Sequence, residues 1–170
     1  MAQVATVLKP EAHEEKINTG LKDAYRAEMA KALTSILAST YKLTVKSHLY
    51  HWNVVGPLFK PLHELTEDHY NALFSAADVI AERIRALGHL APAGLGKAAS
   101  FAPDSDDVDH TSAIGMMKDL IRDHEAATRE LRKAATKAGD ADDVVTEDML
   151  TQRLTFHEKA IWMLRATVAD

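Results

Sequence analysis

Five side chains in one stretch of this sequence have the types and spacing of metal ligands: His51, His63, Glu67, Asp78 and Glu82. Two imidazoles and three carboxylates are borderline-to-hard donors without sulfur. That mixture suits Fe(II), Mn(II) or Zn(II), and carboxylates also stabilise Fe(III). His63 and Glu67 stand one helical turn apart, as do Asp78 and Glu82. The two pairs are 15 residues from each other, about 22 Å along a helix rising 1.5 Å per residue. They cannot meet around one ion on one straight helix. Antiparallel packing of the helix against its own copy, across a twofold axis, would bring His63 and Glu67 of one chain to Asp78 and Glu82 of the other. Symmetry then makes two identical sites per dimer, and His51, from the end of the preceding helix, completes each with a second imidazole. A site spread over an interface leaves positions open for water or peroxide. Iron oxidation is its natural chemistry: Fe(II) binds, electrons pass to an oxidant, and ferric product leaves for a mineral store. No organic cofactor is needed.

The flank carrying these residues supports the pairing. With Leu62 at zero and roughly 100° per residue, the apolar stripe of this helix lies within about 60° on either side. His63, Glu67, Asp78 and Glu82 fall near 100°, 140°, 160° and 200°, with Tyr70 and Phe74 among them at about 80° and 120°. A phenylalanine left in water there has no evident return, whereas burial against another chain explains it. Taken singly, each carboxylate or histidine pair is as readily a solvated salt link.

Four helices position this flank. Leu33, Leu37, Thr40, Thr44, Ser47 and His51 recur at alternating three- and four-residue steps on the first, which stops at Val54-Val55-Gly56-Pro57. A second begins around Lys60-Pro61 and runs to Leu87-Gly88, on a stripe from Leu62 through Leu65, Thr66, His69, Leu73 and Ile80 to Leu87. A third fits Thr111 to Ala138, with Ile114, Met117, Leu120, Ile121, His124 and Leu131 inward and Gly139 as its stop. Thr146 reads as the N-cap of a fourth, with a seam of Leu150, Leu154, His157, Ile161 and Leu164. Residues 89–110, rich in Pro, Gly and Asp, are too long for a tight hairpin and read as a crossover with room for one short helix near Leu95. The expectation is an all-α, ferritin-like four-helix bundle over residues 19–170, preceded by a flexible arm over 1–18.

At 170 residues the chain can hold a core without staples, with 46% of residues apolar and 26% charged. There is no cysteine, which excludes disulfide scaffolds, thiolate chemistry and zinc fingers and fits a reducing cytoplasm. No apolar run approaches the roughly 20 residues that span a bilayer, so no membrane partner is expected. Nine histidines are present; His48 and His69 project toward core positions, and His124 and His157 read as packing residues. Glu125 and Glu158 directly follow those last two, so the third and fourth helices lack the Glu-x-x-His supply of a di-iron centre inside one bundle.

The residues HWNVVGPLFKPLHELTEDHY, followed by DVIAERIRALG, closely resemble the Dps miniferritins, and the likeness runs from about Asp23 to Val168. The resemblance implies that His51 and His63 are iron-binding histidines and that Asp78 and Glu82 are carboxylates from the twofold-related subunit. Glu67 stands where many members have aspartate, one methylene shorter. Trp52 matches a tryptophan beside the centre that packs the site or takes up an oxidising equivalent. It further implies a homo-oligomer, a dodecamer of twofold dimers forming a hollow shell. Such shells oxidise Fe(II) to Fe(III) at mono- or di-iron interface centres, typically with hydrogen peroxide, store the mineral, and so limit oxidative damage. Asp148, with Asp140, Asp142 and Asp143, resembles the acidic stretch lining the threefold channel of relatives. The alternative is a nucleoid-associated, DNA-condensing protein with a secondary metal site. The arms argue against it: Lys9 and Lys16 are offset by Glu11, Glu14 and Glu15. At a formal −5 per chain, twelve copies carry about −60, which repels phosphate. DNA binding is expected to be weak or absent.

Overall fold

A computed structural model describes residues 12–92 and 112–169. The described residues form four α-helices: α1 (Asp23–Asn53), α2 (Phe59–Ala86), α3 (Ala113–Asp140) and α4 (Val144–Thr167). No strand occurs among the described residues. The hairpin partners α1/α2 and α3/α4 share the largest contacts, and α1 packing on α3 joins the hairpins into one bundle. The expected turn near Leu95 and residues 1–11 lie outside the described residues. Nearer the bundle, Glu15 donates its backbone N–H to the Gly88 carbonyl (2.9 Å), and the Glu14 carboxylate meets the His89 ring (3.1 Å).

Helical periodicity places the core. The α1 stripe Leu33, Leu37, Thr40, Thr44, Ser47 and His51 is buried throughout, and α2 buries Leu62, Thr66, His69, Leu73, Ile80 and Ile84. Two apolar clusters result. One gathers Leu33, Leu37, Ile80, Leu131 and Leu150; the other gathers Leu43, Tyr50, Leu62, Leu73, Leu120 and Leu164. Ile114 departs from its expected inward position and is exposed, being in the first turn of α3, beyond the buried run that starts at Met116. The five residues Val54–Leu58 reverse the chain between α1 and α2. Gly56 takes φ +91° there, a left-handed conformation that side chains disfavour. Its carbonyl accepts from Phe59 N–H (3.0 Å), which starts α2.

At the α3–α4 turn the structure corrects two expectations. Helix α3 runs through Gly139 to Asp140, and the reversal falls on Asp142 at φ +57°. The N-cap of α4 is Asp143, not Thr146: its carboxylate accepts from Thr146 N–H at 3.1 Å and from Thr146 Oγ1 at 2.6 Å. The same carboxylate takes Arg83 Nη2 of α2 (2.7 Å) and Tyr25 Oη of α1 (2.9 Å), while Arg83 Nε donates to Thr146 Oγ1 (2.7 Å). One buried aspartate therefore ties three helices together. It is not available to line a channel; Asp140, Asp142 and Asp148 are exposed.

Burial pushes the Asp143 carboxyl up, but the Thr146 and Arg83 bonds outweigh it and hold it below the ordinary carboxylate range. A lowered carboxylate pKa stabilises the fold above the unfolded value near 3.9, and that stability is lost as pH falls through the folded value. Asp143→Ala should cost about 3–5 kcal/mol at pH 7, since it strands Arg83 and removes the cap. The deficit, read from denaturant unfolding, should shrink below about pH 4.

Candidate metal centre

The α1–α2 turn determines which side chains face each other. His51 lies in the last turn of α1, where backbone carbonyls have no helical partner, and His63 lies in the second turn of α2. His63 Nδ1 bonds the carbonyl of His51 at 2.9 Å, and His51 Nδ1 bonds the carbonyl of His63 at 2.8 Å. The two rings stack at 3.7 Å between centroids, 18° from parallel. A carbonyl can only accept, so Nδ1 is the donating nitrogen in both rings. In the neutral rings this fixes the tautomer and places the lone pair at Nε2. A backbone carbonyl that accepts from one ring nitrogen fixes the ring's orientation and makes the other nitrogen a better metal ligand.

The remaining residues stand apart from this pair within one chain. Glu67 is exposed one turn beyond His63, and Tyr70 Oη lies 3.4 Å from its Oε1. Asp78 and Glu82 are exposed further along α2. Among the described residues no three His, Asp or Glu side chains gather as a metal-holding group. The structure thus unites His51 with His63 but leaves both carboxylate positions of Asp78 and Glu82 outside that half-site. The neighbouring flank is wet and apolar: Phe74 is 64% exposed, Trp52 65% and Phe59 46%.

Trp52 is largely exposed, and its ring contact is with His48. Its indole stacks on His48 (5.4 Å, 21°), which stacks in turn on Tyr70 (3.8 Å, 26°), and Tyr70 meets His51 edge-on (5.3 Å, 86°). His48 was expected in the interior; it is half-buried at the helix edge within this stack. Burial and then the neighbouring His51 lower its pKa. The signal was present in the sequence, since His48 and Trp52 are four residues apart on α1 and share a face.

Comparison with known proteins agrees with the fold. A family model described as a ferritin-like domain matches residues 30–170. A low temperature-induced protein of Nostoc is 41% identical over 90% of this chain and 87% of its own. DNA protection during starvation protein 2 of Bacillus anthracis is 34% identical over 82% of this chain and 95% of its own. The crystal structure of a Dps protein from Bacillus brevis is 33% identical and superposes with a TM-score of 0.78, covering 88% of this chain and all of that one.

Each Nδ1 bonds a backbone carbonyl that alanine keeps, so removing one ring costs the other only its stacking partner. His51→Ala and His63→Ala should each weaken Zn(II) binding by about 10–100-fold in calorimetric titration of the native protein, and the double variant should lose close to the sum of the two. A double variant no weaker than either single variant would show that the rings bind only as a unit.

Proposed function

The chain belongs to the ferritin-like family as a Dps-type miniferritin, and from that premise we propose that it is a ferroxidase and iron store. Fe(II) is the substrate. It binds at Nε2 of His51 and His63, with Glu67 of the same chain and Asp78 and Glu82 of a twofold-related copy completing the donor set. The observation that carries this reading is the reciprocal imidazole–carbonyl bonding, which leaves two lone pairs beside an unpartnered aromatic flank. Covering Phe74, Trp52 and Phe59 with a second chain supplies both the missing carboxylates and the apolar burial.

Hydrogen peroxide is the oxidant in this proposal. One molecule takes one electron from each of two Fe(II) ions and, with two protons, leaves as two waters, so no hydroxyl radical is released. Ferric product is hydrolysed and kept as oxide-hydroxide inside a twelve-subunit shell. Asp140, Asp142 and Asp148 would draw Fe(II) toward the interior through their converging field. Trp52 is the place for a stray oxidising equivalent, because the Tyr70–His48–Trp52 stack leads from the half-site to the surface. Protection of DNA follows from removing iron and peroxide together. The negative shell disfavours the nucleoid-condensing alternative. No described helix is long and apolar enough to cross a membrane, and a cytoplasmic setting suits the chemistry.

A mixing experiment tests the shared site. His51→Ala and Asp78→Ala should each abolish most of the initial Fe(II)-plus-peroxide rate. After subunit exchange of equal amounts, about a quarter of sites regain a full ligand set, since each site draws one residue from each chain. The rate should recover to about that fraction. No recovery despite proven exchange rules out a site divided between copies.

A further inference from the structure

The two apolar clusters of the bundle are separated by a polar layer. On α1 it holds Thr40 and Thr44, whose hydroxyls donate to carbonyls of their own helix. On α3 and α4 it holds His124 and His157, 0% and 3% exposed. These two rings meet through their Nδ1 atoms at 2.9 Å, joining α3 to α4 in the interior. His69 of α2 lies edge-on to His124 (5.2 Å, 73°), and Phe156 packs edge-on against His157 (5.2 Å, 82°).

A bond between two Nδ1 atoms needs one ring to donate and the other to accept. His124 Nε2 has no protein partner. A buried unpaired donor is rarer and costlier than an unpaired acceptor, so His124 donates from Nδ1 and keeps a lone pair at Nε2, while His157 accepts. An added proton then has two destinations. At His124 Nε2 it makes a buried, unpartnered N–H on a charged ring. At His157 Nδ1 it removes the acceptor that joins the helices.

Among the described residues no carboxylate offsets a positive charge on the pair. Arg153 on α4, its guanidinium 5.3 Å over Phe156, has the same sign as an imidazolium, and burial with Arg153 and His69 holds His157 down to about 3. Burial, His157 and His69 hold His124 well below the ordinary histidine value. Asp68 on α2 acts on His69. Lys46 on α1 is occupied by Asp119 and Asp123 of α3, at 2.9 and 2.6 Å.

We propose that the His124–His157 pair is an acid latch: neutral, it fastens α3 to α4, and proton uptake by the pair in acidic water opens the subunit and with it any assembly built from it. His69 serves only as a wall, and its own proton is not part of the device. The sign follows from linkage. The unfolded chain binds protons at histidines near pH 6.5 and the folded pair does not, so stability falls as pH drops below that value, by up to two protons per chain.

The test is an acid titration of the native protein from pH 7.5 to 3.5, followed by circular dichroism and light scattering with potentiometric proton counting. In His124→Leu/His157→Leu the opening midpoint should fall by at least one pH unit, with about two fewer protons taken up per chain. An unchanged midpoint and uptake in a folded variant overturns the proposal. Should the variant not fold, wild-type protein still decides it through the histidine C2–H chemical shifts read by NMR. The His124 and His157 resonances should keep their neutral-imidazole positions until the step that opens the protein and shift with it. A shift of the pair to imidazolium positions in the still-folded protein overturns it.

Discussion

The candidate site depends on one mutual arrangement: two imidazoles, each bonded through Nδ1 to the other's backbone carbonyl across the α1–α2 turn. That exchange satisfies an end-of-helix carbonyl at His51, which would otherwise lack a partner. It stacks the rings and settles their tautomers. Through it, the closing of a helical hairpin and the presentation of metal ligands become a single structural event. Everything further along α2 is constrained by the stiffness of the helix, which holds Asp78 and Glu82 far from the imidazoles of the same chain.

The rest of the bundle keeps that hairpin in register. At the opposite end, Asp143 gathers Tyr25, Arg83 and Thr146, so that α1, α2 and the start of α4 meet on one carboxylate. Between the ends, apolar clusters flank a polar layer, and Lys46 is buried between α1 and α3 only because Asp119 and Asp123 neutralise it. Tyr50 Oη adds a bond to the same Asp119 (2.5 Å) one residue before His51, anchoring the last turn of α1 from below the site.

Much of this was legible in the sequence because helical periodicity is a strong signal over segments of 24–31 residues. The α1 stripe and the place of Phe74 outside the bundle's own core followed from spacing, and Gly56 marked the stop of α1 by its residue type. What failed was local competition. Thr146 and Asp143 are both good caps, and the aspartate won because it could also bind Arg83 and Tyr25, contacts remote in sequence. Gly139 resembled a stop, but Asp142 took the left-handed turn. His48 was misplaced because its ring leaves the core stripe for a stack with Tyr70, a residue on another helix. Seam spacing likewise placed His124 and His157 inside without revealing that they bond each other.

The claim that matters most is that iron is held between chains. It is tested most directly by a crystal structure of the native assembly, soaked anaerobically in Fe(II) and located by anomalous scattering. The account predicts iron bonded to Nε2 of His51 and His63 in one chain and to the partner subunit's Asp78 and Glu82. Iron enclosed by residues of a single chain, or bonded through Nδ1 of either histidine, would contradict it.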